Sequence, residues 1–544
     1  MRRSDVIVVG AGPTGLFLAG ELALQGVRVR VLERLREPDP TIKAGSINVA
    51  SAEILDRRGL LPAAEDVQRR LLASVGAFAG HGRKNALVNQ LDRGARGARR
   101  FPVAGHFAGM LFRDELVDQG DPALAAHTAV SGGVLVPQYE LESLLGEHCA
   151  RLGVEVRRGV EVHGVRGVGG PGGPGVGGTR HAEADLADDA DVVVETSAGE
   201  LTAGWVVAAD GGRSAIRGQL GIGFTGTDPQ LVGYQAVADF ADPGELSRGW
   251  TWTPRGIYAY GPIPGRILVA RFGPRPQDRD APVTLDELQA VIRDVTGVDV
   301  TLKGLRGRAT RWSDNARQAQ SYRRGRVLLA GDAAHVHAPF SGQGLNLGLG
   351  DAANLGWKLA ATVRGHAPAG LLDTYESERH PIAAWVLDWT RAQVALMRGD
   401  AHTARLREVV GGELFTAPGV MNRVVALTSG ITQRYDVAEG AAEPVGSIAG
   451  DVALSSGDRL ADHAHDGRFV LVDRSPDGRF AEAVRPMAHR IAYVADPASA
   501  TSPPSLLVRP DGVIVWADAR DTATSDDGVL KELDAAIQRW VGTR

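Results

Sequence analysis

Asp332 follows a short apolar run, Val327 to Ala330, and precedes a glycine-bearing turn that includes Pro339, Gly342, Gly344, Leu345 and Asn346. From about Gly348 the residues Leu349, Ala352, Ala353, Leu355 and Leu359 recur at helical spacing. A buried strand ending in an acid, then a turn, then a helix offers a carboxylate to a ribityl or ribose hydroxyl. It also aims the free N–H groups of a helix N-terminus at an anion. The start of the chain supplies a matching half. Gly10-Ala11-Gly12-Pro13-Thr14-Gly15 lies between a predicted strand, Asp5 to Val9, and a predicted helix, Leu16 to Gln25. A second strand, Val27 to Leu32, ends in Glu33. In such a unit Gly10 makes the tight turn, Gly12 lets the backbone approach a pyrophosphate, and Gly15 packs helix on strand. Glu33 stands where an acid meets ribose hydroxyls, so the spacing predicts a bound dinucleotide.

Context separates these motifs from two look-alikes. Gly167-Val168-Gly169-Gly170-Pro171-Gly172 repeats the glycine spacing within a Gly/Pro tract, Val165 to Gly178, with no helix after it. It is predicted to be a flexible hairpin tip. Gly348-Leu349-Gly350-Asp351-Ala352-Ala353 lacks a preceding strand and reads as the first turn of the helix already noted.

The elements around the motifs imply a multidomain chain. At 544 residues it exceeds one compact core. A helix from Gln138 to Leu152 precedes a strand from Val154 to Arg157; the acidic stretch Glu183 to Asp191 reads as a solvated loop. Gly256 to Ala270 reads as two strands around a Pro/Gly turn. A net charge of −5 gives no electrostatic reason to expect nucleic acid or an anionic membrane. No apolar run is long enough to span a bilayer, and the chain start has no signal-peptide pattern. The single cysteine, Cys149, fits a cytoplasmic protein without an internal disulfide.

Three ordered segments now carry a resemblance. Gly10 to Glu33, Ala208-Ala209-Asp210-Gly211-Gly212-Arg213-Ser214-Ala215-Ile216-Arg217, and Gly331-Asp332 with its tail resemble the three fingerprints of the class A flavoprotein monooxygenases, the para-hydroxybenzoate hydroxylase fold family. Asp351 to Leu359 and Tyr375-Glu376-Ser377-Glu378-Arg379 extend the match. Arg509-Pro510-Asp511-Gly512 with Trp516 resembles the thioredoxin-like C-terminal domain of the aromatic-polyketide hydroxylases. The resemblance implies an α/β protein: a Rossmann-like FAD-binding domain (1–72, 134–224 and 310–398), an interleaved α+β substrate domain (73–133 and 225–309), a helical connector (399–440) and a thioredoxin-like domain (441–544). With one cysteine that last domain has no CxxC pair, so its role is structural.

What the resemblance implies for chemistry is FAD reduced by transient NADPH or NADH, reaction with O2, and transfer of one oxygen atom to a polycyclic aromatic, polyketide-type small molecule. The substrate's own phenolate would activate the ring carbon, which accounts for the lack of an obvious nucleophile or base. Asp332 is expected at the ribityl or pyrophosphate region, Asp210 in a segment that serves both FAD and the transient NAD(P)H, and Gln138 near the flavin chain. Pro339, Gly342, Gly344, Leu345 and Asn346 are expected against the flavin ring, Pro339 and Gly344 positioning it for catalysis. Trp252, Tyr258 and Tyr260 are candidates for the aromatic pocket, against simple core packing. His335 and His337 form an HxH with no further ligand cluster, so no metal is expected. The family's two arginines in the loop after the ribose acid are Lys43 and Ala50 here, leaving Asn48 and Ser51 as substitute contacts and predicting weaker FAD binding. A Baeyer–Villiger or ring-opening outcome, a flavin halogenase or dehydrogenase, and a non-catalytic flavin-holding partner are the alternatives. A monomer or homodimer is expected.

Overall fold

The computed structural model describes residues 3–41, 43–78, 101, 103, 105–130, 134–167, 191–243, 246–274, 278, 281–438, 443–497, 504–518 and 526–543. Its largest sheet has Ser4–Val9 at its centre, paired in parallel with Val29–Glu33 on one side and Gly199–Ala208 on the other. Val327–Leu329 adds in parallel to Gly199–Ala208, and Glu155–Arg158 to Val29–Glu33. Val6 to Val8, Val206 to Ala208 and Val327 to Leu329 are wholly buried. That is why these strands read as continuous apolar runs: a parallel sheet is covered by helices on both faces. Val162–Arg166 and Val192–Thr196 extend the sheet antiparallel, and Arg3 pairs with Asp191 beside it. The remainder of the Gly/Pro tract and of the acidic stretch, 168–190, lies outside the described residues.

Helix Pro13–Leu24 packs against the long helix Gln343–Val363. Their close approach needs small residues: a Cβ on Gly348 would stand 2.3 Å from the Thr14 hydroxyl oxygen. The long helix begins five residues earlier than the apolar periodicity predicts, so Gly348 sits in its second turn. The first turn has no apolar stripe because it faces a cleft rather than the core.

A second sheet is antiparallel: Gly249–Thr253, Gly256–Tyr260, Arg266–Phe272, Leu231–Phe240 and Leu302–Leu305 in that order. Helix Leu285–Thr296, capped by Thr284, covers one face. Thr310–Ser313 pairs with Leu231–Phe240, so this sheet extends past residue 309, where the sequence reading ended the substrate domain. Helix Leu61–Phe78 likewise runs through residue 72.

The C-terminal part has a four-stranded sheet, Ile491–Ala495, Phe469–Asp473, Ser505–Val508 and Ile514–Asp518, with helix Asp526–Trp540 packed on it. It is keyed to the rest by buried charge. Arg509 makes two 2.8 Å bonds to Glu378, pairs with Asp511, and lies among the rings of Trp357, Tyr435 and Trp540. Glu378 also accepts from Lys358 at 2.7 Å. Next along the same helix, Arg379 reaches Asp351 at 2.9 Å and the Tyr435 hydroxyl at 2.7 Å. Among the described residues no helix is long and apolar enough to cross a membrane.

Burial alone would raise the Glu378 carboxyl, but Arg509 and Lys358 outweigh it and hold it well below the usual carboxylate range. The native state therefore binds that proton less readily than the unfolded chain. The resulting stability is complete above about pH 4 to 5 and is lost as pH falls below that. Arg509→Met should cost about 3–5 kcal/mol, because Asp511 loses its buried cation and Glu378 keeps only Lys358. Urea unfolding should show that loss at neutral pH and a shallower decline in stability between about pH 4 and pH 3 than in the native protein. An unchanged midpoint would mean that the C-terminal part docks without this pair.

Candidate active site

The carboxyl ends of Ser4–Val9, Gly199–Ala208 and Val327–Leu329 lie side by side, so Gly10, Asp210 and Asp332 meet at one edge. In open α/β sheets this is where ligands bind. A cleft of about 880 Å³ opens there, between the parallel sheet and the antiparallel one. Gly10, Gly12, Glu33, Gln138, Asp210, Asp332, Pro339, Gly342, Gly344, Leu345 and Asn346 all line it. Gly15 does not, and its role is packing: a Cβ there would stand 2.1 Å from the Gly10 carbonyl oxygen.

The acids are pre-positioned with capacity left over. Glu33 accepts from the N–H groups of Ala11 and Leu35, both at 2.8 Å, which fixes its carboxylate and leaves lone pairs for hydroxyls. Asp210 accepts from the Ala215 N–H at 3.0 Å through one oxygen, while its other oxygen is buried without a hydrogen-bond partner among the described residues. Burial pushes its carboxyl up. Asp332 is open to the cleft and has no side-chain partner among the described residues; enclosure by protein also pushes it up. An orphaned carboxylate oxygen and an unpartnered carboxylate at the ends of neighbouring strands suit a polyhydroxylated ligand chain. Arg217 is no surface charge: it donates to the Ala333 and Gly212 carbonyls at 2.8 and 3.0 Å and ties the Asp210 turn to the Asp332 turn.

The helix Gln343–Val363 enters from Gly342 in the left-handed region (φ 63°), and no side chain caps it. Its first N–H groups, at Gly344 and Leu345, therefore remain available to the cleft. The Asn346 side chain is used otherwise than expected. Its oxygen accepts from the Asn48 N–H at 2.9 Å and its nitrogen donates to the Gly342 carbonyl at 2.6 Å, which locks the 43–48 loop to the helix entrance. Gln138 donates to Glu142 at 2.8 Å.

The 43–53 stretch resolves differently from expectation. Lys43 lines the cleft and pairs with Asp39 at 3.1 Å. Ala50 is buried under Gly430, where helix Val420–Ser429 ends. Asn48 lines the cleft, but its side chain caps helix Val49–Asp56 by accepting from the Ser51 N–H at 3.0 Å. Ser51 does not reach the cleft.

Trp252, Tyr258 and Tyr260 do not line the cleft. Tyr258 and Tyr260 do share a face, but that face packs under helix Leu285–Thr296, with Tyr260 edge-on to Phe240. Trp252 donates its indole N–H to the Met397 carbonyl at 2.9 Å and lies beneath Arg407, off the cleft. Trp250, Ala259 and Leu268 line the cleft instead. Alternation alone could not say which face the helix would cover.

Sequence reasoning also missed His106, Arg266 and the three residues Val425, Thr428 and Ser429, all on the cleft wall. His106 lies 4.1 Å from Trp250, centroid to centroid, and accepts from the Gly109 N–H at 3.1 Å. Burial pulls its imidazole down to about 3, so it stays neutral. No periodic pattern around it marks a site. His335 bonds Asp351 at 2.6 Å in the core, and His337 lines the cleft beside Gly344. No cluster of metal-binding side chains occurs among the described residues.

Comparison with known proteins agrees with this geometry. Residues 3–390 match the FAD binding domain family and residues 442–543 the aromatic-ring hydroxylase C-terminal family. The chain is 39% identical over 523 residues to a rifampicin monooxygenase of Streptomyces venezuelae, covering 94% of this chain and 95% of that protein. It is 33% identical over 547 residues to a dialkyldecalin synthase of Streptomyces rugosporus, covering 99% and 98%. The structure of the anhydrotetracycline hydroxylase OxyS from Streptomyces rimosus superposes with a TM-score of 0.77 at 35% identity, over the full length of both chains. With its parallel sheet, its antiparallel second sheet and its C-terminal domain, the chain belongs to the FAD-dependent aromatic-ring hydroxylases, a family of flavin monooxygenases.

Proposed function

We propose that this chain oxygenates a polycyclic aromatic molecule of the polyketide kind, using NAD(P)H and O2. The observation that supports it most is the division of one cleft into two chemistries. One end has the three strand termini with Glu33, Asp210 and Asp332; the other has Trp250, Ala259, Pro262 and Leu268. A cleft of about 880 Å³ is at the large end for small-molecule sites, enough for a cofactor and a substrate together. The relatives that act on rifampicin and anhydrotetracycline support a large fused-ring substrate.

Bound FAD supplies the redox chemistry, taking electrons from NAD(P)H and activating O2 for transfer of one oxygen atom to an electron-rich carbon. The chain's own groups bind, orient and exclude water. Gly12 and the entrance of helix Pro13–Leu24 accept the pyrophosphate, and Glu33 the adenosine ribose. Asp332 and Asp210 hold the hydroxyl-rich chain. The Gly344 and Leu345 N–H groups favour negative charge on the ring they face. Trp250, Leu268 and Val425 keep that end of the cleft apolar, which limits hydrolytic side reaction.

Purified holoprotein given NADPH, O2 and a panel of polycyclic phenols should oxidise NADPH fastest with one of them and yield a product one oxygen atom heavier. Failure of every phenol to stimulate NADPH oxidation, with no oxygenated product, would overturn the reading. Asp332→Ala should weaken FAD binding about 10- to 100-fold in titration of apoprotein, the worth of a hydrogen bond to a charged group; unchanged affinity would remove Asp332 from the cofactor site. Ala50→Arg should cost about 1–3 kcal/mol of stability by overpacking under Gly430, without tightening FAD. Tighter FAD binding in that variant would show that the arginine still finds the cofactor.

A further inference from the structure

Arg266 opens strand Arg266–Phe272 and faces the cleft two residues before Leu268, on the wall formed with Trp250, Ala259 and Pro262. Among the described residues it is the half-buried charge on that wall, the other, Arg248, being exposed. Its guanidinium lies against Gly45: a Cβ there would stand 2.7 Å from Nη1, so the glycine leaves the space that the fork occupies. Among the described residues this guanidinium has no hydrogen bond and no ion pair. The acids of the cleft are committed elsewhere or do not contact it: Glu33 takes two backbone N–H groups, Asp39 pairs with Lys43, Glu142 takes Gln138, and Asp210 takes Ala215. Arg34, Arg213 and Arg248 also line the cleft but are exposed to water, and the half-buried Arg158 stands beside Glu33 on the parallel sheet, away from the apolar wall. Arg266 is half-buried, and desolvation pulls it down to about 10.

An enclosed guanidinium without an anion is costly, and the cost is recovered when a ligand brings the negative charge. The dinucleotide's phosphates belong at the glycine turn and helix entrance of the parallel sheet, whereas Arg266 stands on the antiparallel sheet. We propose that Arg266 recognises the substrate through an ionised oxygen, so that this enzyme selects polycyclic phenols or enols acidic enough to bind as the oxyanion. The inference rests on the monooxygenase reading and names its substrate class. A planar guanidinium fork brings two N–H donors to such an oxyanion, as in an acidic hydroxyquinone or an enol. The phenol proton leaves to solvent. Charge delocalised from that oxygen then enriches the ring carbons ortho and para to it, the positions that an electrophilic oxygen attacks. Arg266 is thus a substrate-contacting residue that fixes which carbon is presented.

The test is binding, read by colour, and needs no turnover. Holoenzyme is titrated with 2-hydroxyanthraquinone, whose phenolate absorbs at longer wavelength than its phenol, and with the 2-methoxy ether, which cannot ionise. The native protein should shift the bound hydroxyl about tenfold or more toward phenolate relative to free solution, and should prefer the hydroxy compound to the ether. Arg266→Gln should abolish both effects. Arg266→Lys should keep part of the shift, since charge remains but the fork is lost. Gly45→Ala, which keeps the arginine but fills its space, should also reduce the shift. Equal affinity of native holoenzyme for phenol and ether overturns the proposal, as does an undiminished phenolate signal in Arg266→Gln. Loss of FAD from Arg266→Gln on gel filtration, with the phenol preference intact, overturns it by assigning the guanidinium to the cofactor. A native protein that passes these binding tests yet oxidises no NADPH with any phenol would count against the monooxygenase reading alone.

Discussion

Parallel hydrogen bonding of Gly199–Ala208 between Ser4–Val9 and Val327–Leu329 is the constraint on which the site depends. Three segments remote in the chain come to one line only because these strands share a direction and a register. Each then hands over to a turn at the same edge: Gly10, Asp210 and Asp332. The strands are buried on both faces and cannot slip without exposing apolar surface. The turns inherit that rigidity, and Arg217 cross-links two of them. A cradle for a long polar ligand needs donors and acceptors fixed over many ångströms, which flexible loops would not supply.

The long helix Gln343–Val363 carries this rigidity in the other direction. Its first turn opens on the cleft, its middle holds Asp351 against His335 and Arg379, and Lys358 near its end joins the Glu378–Arg509 cluster. The C-terminal part, whose described residues line none of the cleft, is therefore bonded to the element whose N-terminus faces it. The Gly331 N–H donates to Asp351 at 3.0 Å, so the Asp332 turn rests on the same network.

Much of this was legible in the chain, for identifiable reasons. The glycine turn, the strand before it and Glu33 were readable because each has a local signature: an apolar run, a steric need and a spacing. Asp332 was readable for the same reason. Residues whose place is set by tertiary packing were not. Tyr258 and Tyr260 have the alternation of a half-buried strand whichever face is covered, and only helix Leu285–Thr296 decides it. His106, Arg266 and Val425 lie in segments with no motif, and reach the cleft through folding of distant parts. The helix start was misplaced for a related reason, since a turn that faces a ligand has no apolar stripe to count.

The cleft wall is assembled from several regions of the fold. His106 comes from a short hairpin, Trp250 and Leu268 from the antiparallel sheet, Ser341 and Leu345 from the helix entrance, and Val425, Thr428 and Ser429 from helix Val420–Ser429. Such a pocket has no single module that owns its selectivity. Grafting one sheet from a relative would transplant a fraction of the surface a substrate touches and leave the rest native. Divergence of substrate range on this scaffold must therefore proceed by coordinated small changes scattered along the chain rather than by exchange of a cassette.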